Sequence, residues 1–279
     1  MNRLTNQPKI LFLLVNYFNE KEVCAFVNEQ LQPNANIFID VIIIDNGSKE
    51  TTLLTELANN YANVSLVNSV SNLGYFGAAN IGLTNYLNKH NGYPDVVIVC
   101  NTDMILQSKF LETLRQKITT QNFDIMGPSI HSSLLNYYQN PYIINRISKG
   151  KLKFLHFVSS SYILYSLFTI YHLLKTKLMG RQNSELNFVA NPYALHGSFM
   201  IFNKTFFEKG GTINYPSVLF GEELFIAEQA QKLNLNMVYE PTLQVEHNEH
   251  ATTGVFKSRK TVAYLHQSYT YLLKTYFSR

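Results

Sequence analysis

Four short runs of apolar residues each stop abruptly at a polar one, and this pattern constrains the fold more than anything else in the chain. Ile10 to Val15 ends at Asn16-Tyr17, and Phe38 to Ile44 ends at Asp45-Asn46-Gly47-Ser48. Val64 to Asn68 is a third, short run, and Val96 to Cys100 gives way to Asn101-Thr102-Asp103. The last run is β-branched and does not alternate, so it reads as a strand buried on both faces. Helical patterns fill the intervals. One runs from Glu20 to Leu31 and is closed by Pro33. A second covers Thr51 to Tyr61, and a third covers Gly77 to Lys89, entered through "NLGYFG". The order β-α-β-α-β-α-β, with connections of crossover length, predicts a parallel sheet in an α/β domain. Such sheets hold ligands at the carboxyl ends of their strands. Asn16, Asp45 and Asp103 all fall at that edge. Turn chemistry accounts for any one of them, because Asn and Asp commonly end strands. Three converging at one edge point to a ligand.

Composition narrows the function classes. The net charge of +4 over 279 residues is too weak a basic balance for a nucleic-acid partner. Cys24 and Cys100 are the only cysteines. They permit neither a disulfide framework nor a zinc spacing, which fits a reducing compartment. Met1 to Lys9 is polar and the apolar run behind it is short, unlike a signal peptide.

The middle of the chain departs from the α/β pattern. Between Lys149 and Arg181 lies "FLHFVSSSYILYSLFTIYHLL", with Lys149, Lys151 and Lys153 on one side and Lys175, Lys177 and Arg181 on the other. The stretch is long enough to span a bilayer. Its His156, His172, serines and tyrosines make it too polar for most spans. It reads as a helix or helix pair at a membrane interface, or as a helical insertion packed on the domain or on a second subunit. After Asn191 the α/β pattern resumes. Leu195 to Phe202 reads as a strand preceded by a polar His-Gly-Ser turn at His196, and Leu219 to Leu233 as a helix. Met237 to Glu240 is a short strand stopped by Pro241, and Ser258 to Phe277 is a final helix. With no internal repeat and no linker, residues 1–279 are expected to form one domain. Residues 1–128 would be its nucleotide-binding half, 129–190 the helical insertion and 191–279 the acceptor and catalytic half.

Several residues suit chemistry. Glu222 and Glu223 follow Phe220-Gly221 at a helix start, where the dipole favours one acid as a cap but hardly calls for two. A carboxylate held there beside a cleft suits a general base. His247 follows a strand. A hard divalent cation needs few protein ligands when a diphosphate supplies the rest, so Asp103 and His247 suffice, with His250 as a neighbouring alternative. The glycines of "NLGYFGAANIG" lack the dinucleotide spacing and follow the third strand. A P-loop lysine is also missing, which disfavours ATP chemistry.

Taken in order, "LLVNYFNE", "IIIDNGS", "NLGYFGAANIG", "CNTDM", "FGEELFIAEQA" and "VEH" resemble family 2 glycosyltransferases of the GT-A fold. The likeness is to the non-processive, rhamnosyltransferase-like branch that builds bacterial surface polysaccharides. It covers most of the chain and is weakest from Ser129 to Asn191. It implies a mostly parallel, Rossmann-like sheet flanked by helices, with a helical insertion. It also implies a nucleotide-sugar donor (a UDP- or dTDP-sugar) and a divalent cation, Mn2+ or Mg2+. The acceptor would be a glycan or lipid-linked hydroxyl. The Lys149 to Arg181 segment and the two cysteines separately lead to the expectation of a cytoplasmic protein with peripheral membrane contact or a homo-oligomeric interface. Asn16 and Tyr17 would border the nucleotide and Asp45 would meet its base ring. Asn72, Gly74 and Asn80 would line the donor cleft. Asn101-Thr102-Asp103 stands where the family has Asp-x-Asp, with Asn101 replacing the first aspartate and Asp103 keeping the metal position. Glu223 falls at the family's catalytic aspartate, in a Glu-Glu rather than a Glu-Asp pair, which leaves Glu222 as an alternative base. His247 matches the late metal-binding histidine. The Gln-x-x-Arg-Trp motif of processive synthases is absent, since the chain has no tryptophan. A binding protein of this fold without turnover, and a nucleotidyltransferase, are the competing expectations. The second would want a basic, glycine-rich loop after the first strand, where this chain has "NYFNEKE".

Overall fold

The computed structural model describes residues 7–34, 38–48, 51–134, 136–179, 186–248 and 257–278, and only the backbone of 176–179. His250, Arg181 and the side chain of Lys177 lie outside what it describes. Strands β1 (Ile10–Asn16), β2 (Ile39–Asp45), β3 (Val64–Asn68) and β4 (Val96–Cys100) lie parallel in the order β3-β2-β1-β4. Their sequences lack polar alternation because both faces are covered. Leu11, Leu13, Ile42, Ile44, Val97 and Val99 enter one core. Ile10, Phe12, Leu14, Val41, Ile43, Val96, Ile98 and Cys100 enter the core on the other side. Helix α1 (Glu20–Ala25) continues as a π-helical turn to Leu31 and a 3-10 turn to Asn34, past Pro33. Helices α2 (Thr52–Asn60) and α3 (Tyr75–Lys89) complete the crossovers.

The second half makes the sheet mixed. After β4 come β5 (Met104–Leu106), α4 (Phe110–Thr120), β6 (Ile125–Ser132) and the short β7 (Tyr137–Tyr138). Two helices follow, α5 (Lys149–Ser159) and α6 (Tyr162–Met179). Then come β8 (Phe199–Asn203), α7 (Lys204–Glu208), α8 (Glu222–Leu233), β9 (Met237–His247) and α9 (Arg259–Tyr276). The sheet extends as β4-β8-β6-β9-β5, with β7 beside β6. β8 is antiparallel to β4 and β6, β6 and β9 run parallel, and β5 is antiparallel to β9.

Two expectations are corrected here. Pro241 does not stop a strand: β9 runs through it to His247. The β6–β9 register pairs Pro128 with Glu240 and then Ser129 with Gln244, so both prolines sit at an irregularity. A missing N–H is tolerated at a bulge. The strand expected from Leu195 begins only at Phe199, because His196 to Ser198 form a turn ahead of it. The segment from Lys149 onward is a pair of helices bent by 119°. Among the described residues, no single helix is long and apolar enough to cross a membrane.

Candidate active site

At the ends of β1 and β2, Asn16 and Asp45 are buried against each other. Asn16 Nδ2 donates to Asp45 Oδ1 at 2.7 Å and to Ser48 Oγ at 3.1 Å. Asp45 Oδ2 accepts from the Ser48 N–H at 3.0 Å. The Asn16 amide therefore fixes the strand-end loops, and Asp45, with one accepted bond on each oxygen, keeps about half of its acceptor capacity. Tyr17 stands at the rim, half-exposed, with its ring edge-on to Phe18 at 4.7 Å.

The donor-side loop is held by a residue that sequence reasoning passed over. Asn46 Oδ1 accepts from the Leu73 N–H at 2.8 Å, and Asn46 Nδ2 donates to Asn72 Oδ1 at 3.0 Å. Asn72 Oδ1 also accepts from the Gly74 N–H at 2.8 Å. Gly74 begins α3 with φ +79, and a Cβ there would lie 2.5 Å from the Val218 carbonyl oxygen. Only glycine meets both the backbone angle and the approach. Asn80, on the second turn of α3, is half-buried.

The turn Asn101-Thr102-Asp103 is braced from two directions. Thr102 Oγ1 donates to Glu22 Oε1 at 2.5 Å and accepts from Asn19 Nδ2 at 3.0 Å. The Asn101 N–H donates to the Ser198 carbonyl at 2.8 Å. Asp103 leads into β5, whose Met104 pairs with His247. Asp103 Oδ1 is buried, accepts no hydrogen bond and lies 3.2 Å from His247 Nε2. His247 Nδ1 is 2.7 Å from Gln139 Oε1, an acceptor. The proton of the neutral ring therefore sits on Nδ1, and Nε2 turns a lone pair toward the carboxylate. A carboxylate oxygen facing an imidazole lone pair is a donor set for a cation. Among the described residues no group of three or more His, Cys, Asp or Glu is arranged around a metal. Asp103 and His247 could hold a divalent ion only with its remaining ligands supplied from outside the protein, as a diphosphate and water would supply them.

Opposite stands the glutamate pair. Gly221 caps α8 at φ +87, and Glu222 and Glu223 open the helix. Both lie over Gly197, where a Cβ would come within 2.9 Å of Glu222 Cγ and 3.0 Å of Glu223 Oε1. Burial raises both carboxyls, and Glu222 is pushed up to about 8 by burial and by Glu223. Glu223 is drawn back by the backbone N–H groups of Glu223, Gly197 and Gly221. The pair therefore resists double ionisation, with Glu222 the carboxyl pushed up to about 8 and Glu223 the one that backbone N–H groups draw back.

Two further residues belong to the site. The Tyr75 hydroxyl is buried without a hydrogen-bond partner. Its phenol is raised by burial, then by Cys100, Glu222, Asp103 and Glu223. His196 has its ring 6.5 Å from that of His247, and its pKa falls to about 3 through burial and His247. Its Nδ1 accepts from the Ser198 N–H at 3.2 Å, so the neutral ring presents Nε2–H. The sequence placed Tyr75 in the "NLGYFG" loop and His196 in a turn, but an aromatic in a loop and a lone histidine do not announce such positions.

A model of the family described as "Glycosyl transferase family 2" matches residues 13–208. The chain belongs to glycosyl transferase family 2. The match carries the β1, β2 and β4 ends and the Gly74 loop, and stops before Glu222, Glu223 and His247. A search of the curated proteins found no match. Among solved structures, GalNAc-T7 with UDP, GalNAc and Mn2+ superposes with a TM-score of 0.61 at 12% identity, over 98% of this chain and 49% of that one. The S. aureus TarS 1-349 complex with UDP-GlcNAc gives 0.57 at 13% identity, over 94% and 66%. The mannosyltransferase PcManGT from Pyrobaculum calidifontis with GDP-Man and Mn2+ gives 0.51 at 12%, over 98% and 74%. These likenesses establish the GT-A type of fold, and the chain spans about half the length of the first of these proteins.

Proposed function

We propose that this family 2 protein transfers one sugar per encounter from a nucleotide-sugar to an acceptor hydroxyl, with inversion and with a divalent cation. The observation that carries the reading is the opposed pair of clusters around His196 and Gly197. On one side, Asp103 Oδ1 lies buried and unbonded 3.2 Å from His247 Nε2. On the other, Glu222 and Glu223 lie together over Gly197, with backbone N–H groups drawing Glu223 back and Glu222 pushed up to about 8. Asp103 and His247 would hold Mn2+ or Mg2+, which would neutralise charge on the donor diphosphate. Asn101 in place of the first aspartate lowers the site's charge, so the cation binds together with the diphosphate. The uridine or thymidine base lies along Tyr17 and the strand-end loops of Asn16 and Asp45. Asn72, Gly74 and Asn80 flank the donor, and the Tyr75 hydroxyl and His196 Nε2–H donate hydrogen bonds to its sugar or phosphate.

Glu223 takes the proton of the acceptor hydroxyl. The oxygen attacks the anomeric carbon from the face opposite the diphosphate. The bond from that carbon to the phosphate oxygen breaks, and the nucleoside diphosphate leaves with the electron pair. A single in-line displacement inverts the centre. The acceptor is a glycan or lipid-linked glycan of the kind assembled into bacterial surface polysaccharide, as the rhamnosyltransferase-like order of motifs suggests. Tyr142, exposed and with its ring edge-on to that of His196 at 5.3 Å, lines its approach. The test is a panel of nucleotide-sugars and acceptors with release of nucleoside diphosphate as readout. Acceptor-dependent release that requires Mn2+ or Mg2+ and disappears in Glu223→Gln is expected. Donor binding with no release under any pairing would mark a binding protein instead.

A further inference from the structure

Helices α5 and α6 expose an apolar surface that the catalytic reading leaves unused. α5 packs on α9 and buries Leu152 and Val158. α6 extends beyond this contact, and none of its described residues is buried. Ile163, Leu167, Tyr171 and Leu174 recur at helical spacing along one side, with Ile163 69% and Leu167 58% exposed. Phe154 and Phe157 of α5 continue the surface, and the Phe154 ring meets that of Phe168 edge-on at 5.8 Å. So much contiguous apolar surface implies a partner.

Charge selects which one. No Asp or Glu occurs between Asp124 and Glu185, nor from Lys257 to the last residue. The three helices of this unit are therefore free of acids. Lys149, Lys151 and Lys153 lie on α5, and Lys175 lies near the end of α6. The basic start of α9 reaches the same place, since the Arg259 guanidinium lies 5.5 Å over the Tyr162 ring. A two-fold contact through this face would bring basic helices against basic helices with no acid in them to pair. A bilayer with anionic headgroups would receive the apolar side chains and neutralise the lysines. The 119° bend disfavours a crossing and suits helices lying in the interface.

We propose that the α5–α6 face docks this protein onto an anionic lipid bilayer, with both helices lying in the headgroup layer. The placement serves the site. α5 and α6 adjoin α9, and Ser268 of α9 sits against Gly221, the cap of the Glu222–Glu223 helix, while its Oγ shares a hydrogen bond with the Tyr215 hydroxyl at 2.7 Å. The bilayer thus lies on the side of the base, where the acceptor enters. That consequence rests on the proposed sugar transfer, whereas the docking itself does not.

The chain has no tryptophan, so Leu167→Trp creates a single reporter on the exposed face. Vesicles of phosphatidylcholine with phosphatidylglycerol should shift its emission to the blue and shield it from acrylamide at low salt. Pure phosphatidylcholine, or high salt, should do so weakly. Val70→Trp, fully exposed elsewhere, should stay unshifted. Changing Lys149, Lys151, Lys153 and Lys175 to Gln in the reporter should weaken vesicle binding at least about tenfold. The same changes should leave circular dichroism and nucleoside diphosphate release with a water-soluble acceptor unaltered. No shift with anionic vesicles overturns the proposal. Equal shifts on neutral and anionic vesicles overturn the assignment to an anionic surface. A blue shift that grows with protein concentration without lipid, together with a dimer mass by light scattering, assigns the face to a second copy.

Discussion

Replacing Glu222 with Gln should stabilise the protein at alkaline pH while sparing transfer. In the folded chain, burial and the neighbouring Glu223 hold the Glu222 carboxyl protonated up to about 8, against an ordinary value of 4.5. Between those values the unfolded chain has released this proton and the folded chain has kept it. The folded state binds more protons there, so stability falls as pH rises through that window. The full shift would set a ceiling near 5 kcal/mol at about 1.4 kcal/mol per unit. Partial exposure and coupling to Glu223 reduce it to about 1–2 kcal/mol. Glutamine keeps the shape and carries no such cost. The thermal midpoint of Glu222→Gln should exceed that of wild type by roughly 2–6 °C near pH 8, and the gain should vanish at about pH 5. Turnover should stay within about tenfold, whereas Glu223→Gln should lose a hundredfold or more, the usual cost of a general base. Thermal melts across pH and nucleoside diphosphate release check both halves. A gain that does not depend on pH, or a dead Glu222→Gln beside an active Glu223→Gln, would refute the assignment.

Tyr75→Phe should raise stability by about 1 kcal/mol, because it removes a buried hydroxyl without a partner. The same change should weaken donor binding or turnover, and a loss of both stability and activity would mean the hydroxyl is structural. Gly74→Ala should cost about 1–3 kcal/mol in urea unfolding, since φ is +79 and the Val218 backbone blocks a Cβ. Wild-type stability in that variant would mean the loop can withdraw from Val218.

The parts of the fold that were legible are those where local sequence and burial agree. β1, β2 and β4 are apolar on both faces, so their runs and their polar ends at Asn16, Asp45 and Asp103 can be read directly. β6 and the distal half of β9 were hidden by Pro128 and Pro241, which mark turns unless a bulge absorbs them. β5 has only three residues and takes its place by pairing with β9. In the site, Asp103, His247 and the two glutamates stood out as candidates by residue type and by their places at strand ends and a helix start. Glu22, Asn46, Tyr75 and His196 act through contacts between elements distant in sequence, such as Glu22 to Thr102. Which glutamate is the base also depends on tertiary structure, since the N–H groups of Gly197 and Gly221 come from different segments.

The central claim is that Asp103 and His247 hold a cation together with the donor diphosphate. Calorimetry of UDP and dTDP with and without Mn2+ tests it most directly. Wild type should bind one of them at least about tenfold more tightly with the metal, and Asp103→Ala should abolish that gain, with His247→Ala reducing it less. Equal affinity with and without Mn2+ in wild type, or an unchanged metal effect in Asp103→Ala, would contradict the account.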